Sequence, residues 1–144
     1  MPRRDTDPLG AYNFLVEING VNVASFSEVS GLESEIEVVE YRAGSEPSHV
    51  RKLPGLRKYA NITLKRGVIQ SDDLWQWHKE ALDGKVERRS GSIILLEDNR
   101  EEAIRWNFYK AWPSKYEGPV LHAMSNAVAI ETLTLACERI EIAD

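Results

Sequence analysis

A mainly β fold, a small antiparallel β-barrel or sandwich with one α-helix, is what this chain predicts. Three observations point to it. Several short segments alternate apolar and polar residues with a period of two, as strands with one buried face do. Gly, Pro and Asn-Gly punctuation separates them. Only one stretch, residues 71–83, carries the 3.6-residue period of an amphipathic helix.

In chain order, residues 1–10 form a polar tail in which Pro2, Pro8 and Gly10 oppose regular structure. Residues 12–18 (YNFLVEI) read as a strand, with Phe14, Val16 and Ile18 on one face. Asn19-Gly20 is a two-residue hairpin signal because both residues accept positive φ. Val21 to Phe26 is then the returning strand. After Gly31, residues 32–41 (LESEIEVVEY) alternate again, and Glu33, Glu35 and Glu37 lie on one side. Such an acidic face is too polar for a core, so it meets water or basic groups of another subunit.

Residues 43–60 (AGSEPSHVRKLPGLRKYA) have two prolines, two glycines and little periodicity. They read as a long loop or a reaching arm, in which Leu53 and Leu56, flanking Pro54-Gly55, are awkward apolar residues for a free loop. Residues 61–66 resume a strand with Ile62 and Leu64 inward and Thr63 and Lys65 outward. The helix at 71–83 has Ser71 as its capping residue, Asp72 and Asp73 at the positive end and Gly84 as the stop. Leu74, Trp77, His78, Ala81 and Leu82 share its apolar side. Strands follow at 92–97, 104–110 and within 127–142, with a polar turn at Asp98-Asn99-Arg100 and a loop at 111–119 (AWPSKYEGP).

A length of 144 residues points to one domain spanning 1–144. No apolar run approaches the roughly 20 residues of a membrane span, so stable membrane insertion is not expected. The segment MPRRDTDPLG lacks the apolar stretch of a signal peptide, and folding in the cytoplasm is the expectation. Eighteen basic against 23 acidic residues, a net charge of −5, argue against a general nucleic-acid binder. The lone Cys137 excludes an intrachain disulfide, and with His49, His78 and His122 scattered there is no zinc-ligand spacing, so neither metal nor cofactor is expected.

No nucleophile elbow, phosphate loop or HExxH helix is present, so no catalytic residue is assigned and the chain is not read as an enzyme. His78 on the helix's apolar side is a packed or partner-facing residue. Glutamates alternating along one strand point in parallel and do not wrap an ion. Trp75, Trp77, Trp106 and Trp112 are core or interface residues rather than a ligand site. What remains is abundant strand edge, a basic arm and an acidic strand. Exposed edges are a liability unless something pairs with them. Self-association answers that need, with Arg51, Lys52, Arg57 and Lys58 available to a neighbour's glutamates in a head-to-tail contact.

Six segments in the same order carry a resemblance. They are DPLGAYNFLVEING (7–20), FSEVSGLESEIEVVEYR (26–42), KLPGLRKYANITLKRG (52–67), LWQW (74–77), AWPSKYEGP (111–119) and NAVAIETLTLACE (126–138). Over residues 7–142 the chain resembles the tail tube family of contractile phages, including inner tube proteins of extracellular contractile injection systems. It departs from many relatives at Tyr116, where they have Trp, and at Cys137, where they have His.

The resemblance implies a tail-tube or Hcp-like fold whose hexameric rings stack into a hollow tube inside a contractile sheath. The implied partners are further copies of the chain, the sheath protein, baseplate and spike proteins, and a cargo of DNA or effector protein in the lumen. The implied setting is assembly in the bacterial cytoplasm as part of a virion tail or a released injection particle. An inter-subunit interface through His49, Arg51, Lys52, Leu53, Pro54, Leu56, Arg57 and Lys58 is expected, with Glu33, Glu35 and Glu37 as a lumen or inter-subunit acidic face. The alternatives are a type VI secretion tube (Hcp-like) subunit and a small-ligand-binding β-barrel.

Overall fold

The computed structural model describes residues 7–19, 21–23, 26–42, 44 and 48–143. Residues 1–6 of the expected tail, Gly20 of the expected turn, residues 24–25 of the expected returning strand, and residues 43 and 45–47 of the arm lie outside these.

Ten strands and one helix follow one another: β1 (Phe14–Ile18), β2 (Val21–Val23), β3 (Phe26–Ser30), β4 (Ser34–Tyr41), β5 (Arg51–Tyr59), β6 (Ile62–Gly67), α1 (Asp73–Leu82), β7 (Arg89–Leu96), β8 (Glu102–Glu117), β9 (Ile130–Ala136) and β10 (Arg139–Ile142). All pairings are antiparallel. Eight strands form one sheet in the order β2-β1-β7-β8-β9-β6-β3, with β10 along the other side of β8; β4 and β5 form a separate two-stranded ribbon.

The period-two segments land as expected. Asn19, at φ 54°, makes the tight connection that pairs Ile18 with Val21. In β6 and β9 every second residue is buried, so Ile62 and Leu64 join Leu133 and Leu135 in the core. Val16, Ile18, Ile93 and Phe108 from the other limb of the sheet belong to the same cluster. The sheet therefore folds about β8 into two limbs that share one core. The expected returning strand at 21–26 is divided between β2 and β3, because β2 turns back on β1 whereas β3 pairs with β6.

Helix α1 docks through Leu74 and Trp77, which are buried, and the Trp77 indole donates to the Glu87 carbonyl at 3.2 Å. Each such side chain contributes about 1.5–3 kcal/mol by leaving water. Two expectations for this helix fail. Ser71 does not cap it: the N-cap is Asp72, with no side-chain cap bond, and the Ser71 hydroxyl instead donates to Asp73 at 3.1 Å. Leu82 is exposed, because the helix ends there and turns through Gly84 into solvent.

The expected loop at 111–119 is largely strand. Residues up to Glu117 continue β8, which leaves β7 and β10 and pairs with β9. Two local features reconcile this with the sequence. Lys110 takes φ 53° at the corner between the limbs. The register shifts just after buried Pro113, where a bulge tolerates a residue with no N–H to donate. Irregular chain follows from Gly118 to Ala129.

Candidate functional site

The expected loop or arm at 43–60 contains a nine-residue strand, β5, hydrogen-bonded to β4 from Ser34↔Tyr59 to Tyr41↔Arg51. Both strands of such a ribbon are edges, so Pro54 costs less pairing there than in a central strand. The register slips between Ile36↔Arg57 and Val38↔Pro54, and Gly55 sits at the slip. A Cβ on Gly55 would come within 2.9 Å of the Val39 side chain and 3.1 Å of the Glu37 carbonyl, so the bulge needs a glycine.

The ribbon continues the β3–β6 hairpin across a sharp joint. Gly31 has φ 92°, and the Glu33 amide donates back to its carbonyl at 2.8 Å. The Ala60 amide meets the Glu33 carbonyl at 3.3 Å on the opposite strand. A Cβ on Gly31 would lie 2.0 Å from the Asn61 carbonyl oxygen. Beyond this joint, among the described residues, no helix or second sheet packs substantially against the ribbon. Ile36, Val38, Val39, Tyr41, Leu53 and Leu56 are all exposed, Leu56 to 74%. A two-stranded ribbon alone is marginal in water, and contiguous exposed apolar side chains mark an interaction surface.

Each sequence-assigned residue falls on or beside this ribbon. Arg51, Lys52, Leu53, Pro54, Leu56, Arg57 and Lys58 lie on β5, and His49 precedes it, 3.2 Å from the Ser48 hydroxyl. Glu35 and Glu37 lie on β4, and Glu33 stands at the joint. Acidic and basic residues thus face each other within one ribbon. Lys58 is 2.6 Å from Glu37, and that hydrogen bond holds its ammonium above the usual lysine pKa. Lys52 and Arg57 have no ion-pair partner among the described residues.

At the other end of the strands that carry the ribbon lies a second unpartnered apolar surface. The segment 118–129 follows β8 and leads into β9 at the Gly67 end of β6, opposite the ribbon's attachment at Ile62. Val120 is 92% exposed and Met124 89%, with Leu121 and Val128 also open to solvent. Beneath this segment is a cavity of about 600 Å3 lined by Glu28, Lys65, Glu117, Val120, Val128 and Thr132, among others. Sequence reasoning passed over it, although Val120-Leu121 after Gly118-Pro119 carries the signal that drew attention to Leu53 and Leu56: adjacent apolar residues in a turn-rich stretch.

An internal ion network anchors the limb that bears both surfaces. Arg66 on β6 is 2% exposed and Glu131, opposite it on β9, 4%. The Arg66 Nε donates to Glu131 at 2.6 Å, and its terminal nitrogens bond Asp73 at the start of α1. The Tyr116 hydroxyl donates to the second Glu131 oxygen at 2.7 Å. Burial pushes the Asp73 carboxyl up, but the Arg66 bonds outweigh it and hold the group below the usual carboxylate value. The signal for Arg66 was present, since alternation from Ile62 and Leu64 puts it inward.

Burial, then the bond to Glu131, pushes the Tyr116 phenol from 10.0 up to about 12. The folded state therefore binds this proton more tightly than the unfolded chain. The resulting stability is complete below pH 10 and is lost as pH rises toward about 12. In urea titrations across that window, Tyr116→Phe is expected to flatten the alkaline decline; an unchanged slope would assign the decline to other groups.

Among the described residues no group of three or more His, Cys, Asp or Glu is placed to hold a metal ion, and no helix is long and apolar enough to cross a membrane. Cys137 is half-buried, 3.6 Å from the Ala60 carbonyl, and burial raises its thiol pKa.

The family model described as T4-like virus tail tube protein gp19 matches residues 10–141. Among solved structures, the chain is 30% identical to one from the sheath–tube complex of an extracellular contractile injection system, PVC, in its extended state, with a TM-score of 0.87 over 96% of this chain and 93% of that one. It is 29% identical to one from the tube-terminating cap of the anti-feeding prophage, with a TM-score of 0.88 over 98% and 94%. Hcp1 from Flavobacterium johnsoniae shares the fold at 17% identity, with a TM-score of 0.57 over 91% and 94%. No match was found among the curated proteins.

Proposed function

The chain belongs to the T4-like tail tube protein family, and from that premise we propose that its copies stack as hexameric rings into a hollow tube, with the β4–β5 ribbon as the contact that crosses between rings. It is a structural tube subunit with an Hcp-like fold. The observation that carries the ribbon's role is its exposure on both faces: a paired element with no core of its own gains one only on another molecule.

In this reading Leu53, Pro54 and Leu56 supply apolar docking. The charges of His49, Arg51, Lys52, Arg57 and Lys58 set orientation, since an exposed ion pair contributes only about 0–1 kcal/mol. Exposed Glu33 and Glu35 face the lumen or an adjoining copy. The terminal strands β2, β3 and β10 each have one neighbour in the sheet. Pairing between copies satisfies those edges and stiffens the ring.

A sheath packs outside the tube and a baseplate nucleates it; similar chains come from a sheath–tube complex and from a baseplate. The lumen passes DNA or effector proteins, and the subunit acts without catalysis. Copies made in the bacterial cytoplasm become part of a phage tail or a released particle. The relatives near 30% identity favour that class of device over a type VI secretion tube, for which the likeness supports the fold alone.

Leu56→Asp tests the central point. The side chain is exposed, so the variant is expected to fold with an unchanged thermal midpoint. Co-produced with sheath and baseplate partners, it should give no long tubes in negative-stain images. Tubes of ordinary length would remove the ribbon from the assembly.

A further inference from the structure

The ribbon needs a receiving surface, and the molecule carries a matching one at its opposite pole. Strand β6 begins beside the joint at Ile62 and ends at Gly67. Strand β9, running the other way, begins there at Ile130, directly after the 118–129 segment. One pole thus presents Val38, Val39, Leu53 and Leu56, and the other Val120, Leu121, Met124 and Val128. Both surfaces carry both signs, and the ribbon's charges are only partly paired within it, through Lys58 and Glu37. Lys52 and Arg57 on the ribbon are cationic and without an ion-pair partner among the described residues. Glu28 and Glu117 at the cavity are exposed carboxylates that face Lys65 and Lys115 respectively, with Lys65 also near Glu117.

We propose that the groove between the 118–129 segment and the β3–β6 end of the sheet is the socket for the β4–β5 ribbon of a second copy of this chain. This deepens the reading above and rests on it. Two different patches at opposite ends of one rigid unit form a heterologous contact, which propagates instead of closing into a pair. The ribbon's apolar side chains fill the cavity beneath Val120 and Val128. Lys52 and Arg57 reach the rim carboxylates. Leu121 and Met124 cover the ribbon from the loop side. Each subunit then receives one ribbon and extends one, so the contact repeats along the tube with no change in geometry.

The test uses full-length protein on a Cys137→Ala background, co-produced with sheath and baseplate partners, with Leu56→Cys combined with Val120→Cys or Met124→Cys. Oxidation of assembled tubes is expected to give a ladder of covalent multimers on a non-reducing gel for at least one pairing, while the single-cysteine variants stop at dimers. Tubes that assemble yet yield no ladder with either pairing would overturn the socket. The pair Val120→Asp and Met124→Asp separates the two claims. Loss of tubes with these and with Leu56→Asp supports both. Normal tubes with the socket variants, but none with Leu56→Asp, overturn the socket and leave the ribbon's role standing. Normal tubes with every variant overturn both.

Discussion

Gly31→Ala is expected to abolish tube formation while leaving most of the sheet intact. Two independent costs meet at this position. A φ of 92° disfavours any side chain, by about 1–2 kcal/mol on the general penalty for left-handed backbone. The added Cβ would also sit 2.0 Å from a backbone carbonyl on the facing strand, and a backbone atom cannot rotate away as a flexible side chain does. The chain must move instead, and a movement that spares the β3–β6 pairing swings the ribbon about its root. A rotation of about 10° there displaces Leu56 by about 2 Å and Leu53 by about 3–4 Å, since Tyr59 to Leu53 spans about 20 Å at the usual strand rise. The expected result is a folded protein by near-ultraviolet circular dichroism, a lowered melting midpoint and no tubes under the electron microscope. Tubes of normal length from this variant would mean that the angle of the joint has no part in assembly.

Arg66→Met is expected to cause the largest loss of stability among side-chain replacements outside the apolar core. It removes the only cation beside Glu131 among the described residues and leaves that carboxylate buried with one hydrogen bond, from Tyr116. Breaking one side of a buried pair costs about 3–5 kcal/mol. At this chain length that lowers the thermal midpoint by roughly 10 °C or more. Asp73 loses its anchor at the same time, so the first turn of α1 should exchange amide protons faster. Replacing both members, Arg66→Met with Glu131→Leu, should recover much of the loss, since the cost lies mainly in the stranded charge. Lys58→Met at the exposed Lys58–Glu37 pair provides the contrast, with an unfolding midpoint close to the parent's. If Arg66→Met unfolds at the same denaturant concentration as the parent, the network is ornamental.

Period-two alternation carried most of the fold, and it failed where proline and charge disguised a strand. Strands β1, β6 and β9 alternate cleanly because one face meets the core and the other meets water. Strand β5 has no core face, so nothing in its burial demands alternation, and Pro54-Gly55 reads as a break when it is a bulge in a ribbon with free edges. The second half of β8 was hidden in the same way by Trp112-Pro113. Ser71 satisfied the usual capping pattern, but its hydroxyl had a better partner in Asp73, which the arginine of β6 had already placed.

The residues proposed for the contact between rings stand out as a set in the sequence, because cationic and apolar side chains crowd the stretch 49–58. Their contact with the acidic strand inside one ribbon does not, since the cross-strand register depends on a slip that sequence spacing does not reveal. The segment proposed as the socket carries a different kind of signal. Residues 118–129 have neither period, and only the placement of their ends by β8 and β9 brings Val120 and Val128 over one cavity.

Strand β8 has a mechanical consequence. Its first half is bonded on both sides, to β7 and β10, and its second half to β9. A thrust delivered to either limb is therefore carried through the backbone of one continuous strand into the other, with no hinge loop to absorb it. Such a subunit behaves as a single stiff brick under axial load.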